Sequence, residues 1–219
     1  MVPAILLLLL LNSNVAFSVE MVLATKYPGS IYFGGYKPIE LSSLDNLVPD
    51  LREKVIAHLK NRLGASFFGK VNFAGGERID IEVLHKVEPS SKSYQWEVPA
   101  YVLNFEFKLP EKGIASYTAQ IELRSDGSVL KEIDLPRFSS NTSKLNFISS
   151  EQAATVAIKN GFSLPVKRAK IAYSKESDSL VWVFSQIESE EASTFILKKL
   201  EVSAHTGKVV RLYRQRGDY

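Results

Sequence analysis

The residues able to do chemistry in this sequence are scattered. His58, His85 and His205 fall in different predicted elements, none with a second ligand at metal-site spacing. No His-Glu-x-x-His, Gly-x-Ser-x-Gly or phosphate-binding loop occurs. Gly64-Ala-Ser-Phe-Phe-Gly69 places one residue too many between its serine and second glycine to form a nucleophile elbow. Two carboxylate pairs remain: Asp80 with Glu82, expected on one face of a strand, and Glu106 with Glu122, expected as cross-strand neighbours. General acid–base work needs one member of such a pair desolvated and raised in pKa. All four sit at the polar positions of alternating runs, which face water. With no cysteine, thiolate nucleophiles, thiolate metal sites and disulfides are excluded. The expectation is a chain that is not an enzyme and carries no cofactor or metal.

The elements around these residues read more clearly. Leu200-Glu-Val-Ser-Ala-His-Thr-Gly207-Lys-Val-Val-Arg211 and Ile121-Glu-Leu-Arg-Ser-Asp-Gly127-Ser-Val-Leu-Lys131 are each an alternating run, a glycine turn and a β-branched run, the pattern of a hairpin. Gly127 and Gly207 are the turn-defining residues. At the offset of 79 that carries Ile121 onto Leu200, Tyr101–Phe105 falls on Leu180–Phe184. Each copy is preceded by a helical stretch. Leu51, Val55, Ile56, Leu59 and Leu63 form one apolar stripe ending at Gly64, and Ser149-Ser150 with Glu151 and Gln152 opens the other as a capping box. Trp182 aligns with Leu103 and is expected in the core. An internal duplication outranks single-residue signals.

The two copies differ most between helix and matched strand. Val71–Phe73, Ala74-Gly75-Gly76 and Ile79–Val83 read as a hairpin or bulged strand, followed by a loop from Pro89 and then Tyr94-Gln-Trp96. An extra segment on a scaffold is where specificity is added. Phe73, Gly75, Gly76, Tyr94 and Trp96 are therefore the candidate partner-binding residues. Arg211, Arg214 and Arg216 form a basic tail, a solvated edge by default.

Met1–Ser18 has the shape of a secretory signal, an apolar run over Ile5–Leu11 and then small residues Ala16 and Ser18 before Val19. Its core is too short to span a bilayer, and no lipobox cysteine follows. The mature chain is thus expected to be secreted or periplasmic, with no integral membrane segment. The remaining boundaries are 19–43 as a lead-in, 44–136 as the first unit, 137–147 as a Ser/Asn-rich linker and 148–219 as the second unit. At 45% hydrophobic and 23% charged the composition is ordinary for globular protein. A net charge of +3, without any nucleic-acid motif, argues against nucleic acid as a partner.

The second copy resembles the PepSY family, through Ile148-Ser-Ser-Glu-Gln-Ala-Ala-Thr-Val-Ala-Ile158 and Val202-Ser-Ala-His-Thr-Gly-Lys-Val209, with Ser203 where the family usually has Asp. The first copy keeps the Gly127 turn and Val129. The resemblance implies an α+β fold of two tandem PepSY/cystatin-like units, each one helix on a curved antiparallel sheet. It implies a non-catalytic extracytoplasmic protein that binds another extracytoplasmic protein and modulates or inhibits a peptidase. Two alternatives stand beside it. One is a small-ligand-binding protein using the concavity of a cystatin-like sheet; the other is a structural module of the cell envelope.

Overall fold

A computed structural model describes residues 35–163, 169–190 and 193–218. The expected signal segment and residues 19–34 of the lead-in lie outside them. The fold is α+β with two antiparallel sheets. The first runs in the order β1 (Ile39–Leu41), β2 (Asn72–Arg78), β3 (Tyr101–Leu109), β4 (Ile114–Leu123), β5 (Val129–Lys131). The second is β6 (Ala169–Ser174), β7 (Ser179–Glu190), β8 (Thr194–Ser203), β9 (Val209–Asp218). Among the described residues no helix is long and apolar enough to cross a membrane.

Helix α1 (Pro49–Phe68) starts with Pro49, whose missing N–H costs nothing in a first turn, and with Asp50 against the positive helix end. It buries Leu51, Val55, Leu59, Leu63 and Phe67. Gly64 does not end it, as the stripe suggested. The backbone leaves helical angles there (φ 72°, ψ 151°), then coils on to Gly69. The carbonyl freed at Arg62 accepts the Ser139 N–H at 3.1 Å, and the kink turns Phe67 onto Phe107 and Phe138. Helix α3 (Ser150–Lys159) has the expected capping box: the Ser149 hydroxyl accepts from the Gln152 N–H, and the Gln152 amide oxygen accepts from the Ser149 N–H.

The two glycine turns occupy the same place in their ladders. Leu123 pairs with Val129 and Glu122 with Lys131 across a bulge; Val202 pairs with Val209 and Glu201 with Arg211 across another. Gly127 and Gly207 both have left-handed φ (83° and 72°), which a side chain would strain. Asp126 and Thr206 each accept the N–H two residues on. The Ser203 hydroxyl accepts the N–H groups of His205 and Thr206, the turn-closing work that an Asp side chain does in the same position. The ungapped correspondence fails in the pairing with the preceding strand, which is slipped by two positions along its whole length. Phe105 pairs with Ala119, 14 positions on, whereas Phe184 pairs with Leu200, 16 positions on.

One hydrophobic core runs through both sheets, from Leu41 through Leu103, Phe107 and Ile121 to Trp182, Phe184 and Val202. Trp182 is core, as expected. Segment 137–147 does not behave as a spacer: Phe138 and Phe147 are buried in that same core, against Phe67 and the ring of His205. A smaller cluster, Tyr36, Ile79, Leu84 and Val102, lies on the opposite face of the first sheet. Its cover is helix α2 (Ile81–Val87), where alternation had suggested a strand. Asp80 caps α2 by accepting the Val83 N–H, and Leu84 is its buried anchor.

Gly75 and Gly76 shape β2. The register shifts between Phe73 and Gly76, and a Cβ at Gly76 would lie 2.5 Å from the Val102 carbonyl oxygen. Backbone cannot move aside as a side-chain tip can. Gly76→Ala is therefore expected to cost about 1–3 kcal/mol in urea denaturation, the usual range for overpacking; an unchanged midpoint would show that β2 and β3 are not so closely apposed.

Candidate functional site

Residues 79–100, between β2 and β3, are the clearest difference between the halves; β6 and β7 are joined by Lys175–Asp178 alone. This segment folds as α2, a 3-10 turn over Pro89–Ser93 and an extended run into β3. Together with the β4–β5 turn (Arg124, Ser125, Asp126) it borders an open cleft of about 470 Å³. Ile81 and His85, one helical turn apart, supply one wall. Tyr94 and Trp96 stack with centroids 4.9 Å apart and planes 17° apart, and Trp96 remains 46% exposed. A large ring held flat while nearly half of it faces water is uncommon, and such rings are frequent anchors at interfaces.

The polar groups of the cleft are mostly committed. Arg124 donates two parallel hydrogen bonds to Glu97 at 2.8 and 3.0 Å, holding the Glu97 carboxyl below its ordinary range. The Tyr94 hydroxyl donates to Glu88 at 2.7 Å, and that hydrogen bond, with burial behind it, raises its pKa. Ser91 donates its hydroxyl proton to the Glu88 carbonyl at 2.6 Å, so it can only accept from His85 Nδ1, 2.8 Å away. The neutral His85 is thereby fixed with its proton on Nδ1. Ser91 is buried and its proton is directed at a carbonyl, so the pair is not a nucleophile with its base.

The carboxylate pairs do not assemble either. Asp80 caps α2 and Glu82 lies in that helix's first turn, not on a strand face. Glu106 is paired with Thr118, and Glu122 with Val102, so the two are not cross-strand neighbours. The Ser116 hydroxyl donates to Glu106 and, with Lys108, lowers its pKa despite partial burial; a general acid would need the reverse. No cluster of potential metal ligands occurs among the described residues.

Of the five candidate contact residues, the structure brings together only two. Phe73 stacks edge-on against Phe105 on the main-core face, and Gly75 and Gly76 form the bulge, while Tyr94 and Trp96 belong to the opposite face. The basic tail is strand β9. Arg211 is paired with Glu201 and lies over the Tyr213 ring, and Arg214 grips Glu188 through two hydrogen bonds. Arg216 stands across from Ile196.

A second constellation escaped sequence reading. Arg62, on α1, is 8% exposed and donates twice to the Leu135 carbonyl at 3.1 and 2.7 Å. It also reaches Tyr173 and Asp178 of the second sheet at 3.3 and 3.4 Å, and lies 3.6 Å from Glu132. Asp178, in the β6–β7 turn with φ 42°, accepts from Tyr173 at 2.8 Å, Lys144 at 2.9 Å and the Arg137 N–H. Burial alone would raise the Asp178 pKa; these donors bring it below the ordinary value. His205 is buried beside this junction, its Nε2 accepting the Leu180 N–H at 3.1 Å. Arg62 occupies a stripe position, three residues after Leu59, and a charge there was the available signal. The junction ties α1 to the β6–β7 hairpin of the second sheet. The chain matches no family model, no curated protein and no solved structure.

Proposed function

We propose that this is a non-catalytic, extracytoplasmic protein-binding protein of two tandem PepSY-like units, acting on a peptidase through the cleft of its first unit. The observation carrying the reading is the Tyr94–Trp96 stack, left 46% exposed at Trp96 on a segment with no counterpart in the second half. The serine, histidine and carboxylates around it are held in hydrogen bonds that oppose catalysis. The matched glycine turns and the capping box of α3 support the family reading.

The test is titration of the mature chain against purified extracytoplasmic serine, cysteine and metallopeptidases. At least one is expected to bind and be slowed. Trp96→Ala should weaken that binding about 30-fold, the loss expected of an aromatic anchor worth about 2 kcal/mol. Arg216→Ala should leave it unchanged. Binding by none of the peptidases, or equal binding by Trp96→Ala, overturns the proposal.

A further inference from the structure

Asn141-Thr142-Ser143 is the single place in the sequence where Ser or Thr stands two positions after an asparagine with no proline between. On an exported chain this is the acceptor pattern for N-linked glycosylation. So short a pattern also arises by chance, and the local geometry decides whether this asparagine can serve. Asn141 caps a 3-10 turn over Thr142–Leu145 and lies at the centre of five consecutive exposed residues, 139–143. Its Oδ1 accepts the Ser143 N–H at 3.1 Å and the Ser143 hydroxyl proton at 2.6 Å. Two donors on that oxygen draw electron density out of the carboxamide and make its N–H protons easier to lose. Nδ2 itself donates no hydrogen bond among the described residues.

The turn is also local. The Asn141 N–H reaches back to the Phe138 carbonyl, and the Asn141 carbonyl accepts the Lys144 N–H at 3.2 Å, so the chain can form the turn before the sheets assemble. Phe138 and Phe147 root this tip in the main core, whereas the cleft lies on the other face of the first sheet. A sugar chain at Asn141 is thus rooted away from the proposed docking site.

We propose that Asn141 is an N-glycan acceptor; this rests on the extracytoplasmic placement proposed above. The donor is an oligosaccharide linked to a lipid diphosphate, and the catalyst is a membrane-bound glycosyltransferase. Nδ2 forms a bond to C1 of the first sugar, the C1–O bond to phosphate breaks, and its electron pair leaves with the lipid diphosphate. One Nδ2 proton passes to a base of the transferase.

The experiment expresses the full chain in a eukaryotic cell line, once with its own residues 1–18 and once with a standard secretory leader in their place. Asn141→Gln, Ser143→Ala and Ser143→Thr accompany both. Cells and medium are compared by gel mobility before and after peptide N-glycosidase, and mass spectrometry locates the Asp that this amidase leaves where a glycan was attached. The native chain is expected to shift on digestion under either leader, with Asp at position 141. Asn141→Gln and Ser143→Ala should lose the shift, and Ser143→Thr should keep it. Ser143→Ala retains the acceptor amide, and its appearance in the medium shows that it folds. A native chain without glycan under the standard leader overturns the assignment, as does a glycan that survives Asn141→Gln or Ser143→Ala. A glycan found only under the standard leader upholds the acceptor and removes the export reading.

Discussion

Replacing Arg62 by alanine is expected to lower the stability of the whole chain by about 3 kcal/mol. The guanidinium gives the Leu135 carbonyl two donors in a buried place, and truncation leaves that oxygen without a partner while emptying the space its stem fills. Glu132 and Asp178 keep 35% and 38% of their side chains in water, so they contribute less to the loss than a fully buried pair would. Arg62→Met, which restores the packing without the donors, should recover about half. The reporter is Trp182, which lies in β7 of the second sheet while Arg62 lies on α1 beside the first. In urea denaturation its transition should move with that of the whole chain, at unchanged slope. A Trp182 transition unaffected by Arg62→Ala would mean that the halves unfold independently, against the continuous core.

The second large effect is a dependence of stability on pH. Burial pushes the His205 pKa down to about 4 from an ordinary 6.5, because the imidazolium would have no water around it; its Nδ1 turns toward the Lys144 carbonyl without completing a hydrogen bond. With the folded value depressed, the unfolded chain takes the proton first as pH falls. Stability from this group is complete above pH 6.5 and is lost as pH falls toward 4, at about 1.4 kcal/mol per unit and about 3 kcal/mol in all. Asp178 and Glu132 are also depressed, but from carboxylate values, so their contributions disappear at lower pH. His205→Gln keeps an acceptor for the Leu180 N–H and cannot titrate. Chemical denaturation from pH 7 to 4 should therefore show a slope in the native chain that the variant lacks. Parallel curves for the two would place the acid sensitivity elsewhere.

Which features could be read from sequence follows from how local their causes are. The Ser149–Gln152 capping box and the Gly127 and Gly207 turns are set by residues within a few positions of one another. The Ile79–Val83 run was misread because Ile-Asp-Ile-Glu-Val alternates like a strand, yet Asp80 capping Val83 and the anchor Leu84 suit a helical turn. Segment 137–147 has a spacer's composition, and Phe138 and Phe147 are the two residues that contradict it. The cleft was only half legible. An extra segment carrying a tryptophan pointed to the right region, but the Arg124–Glu97 pair joins residues 27 positions apart and depends on the β4–β5 turn meeting the inserted segment. Arg62 is further still from its partners, 111 positions from Tyr173 and 116 from Asp178, and no periodicity connects them.

The docking role of the cleft is tested most directly by the two indole N–H resonances of the ¹⁵N-labelled chain, one from exposed Trp96 and one from buried Trp182, during titration with a peptidase that it binds. The account predicts that the Trp96 resonance shifts or broadens together with backbone signals of residues 81–98, while Trp182 stays in place. A Trp96 resonance that does not move while signals of β9 or α3 do would put the interface on the second sheet and contradict it.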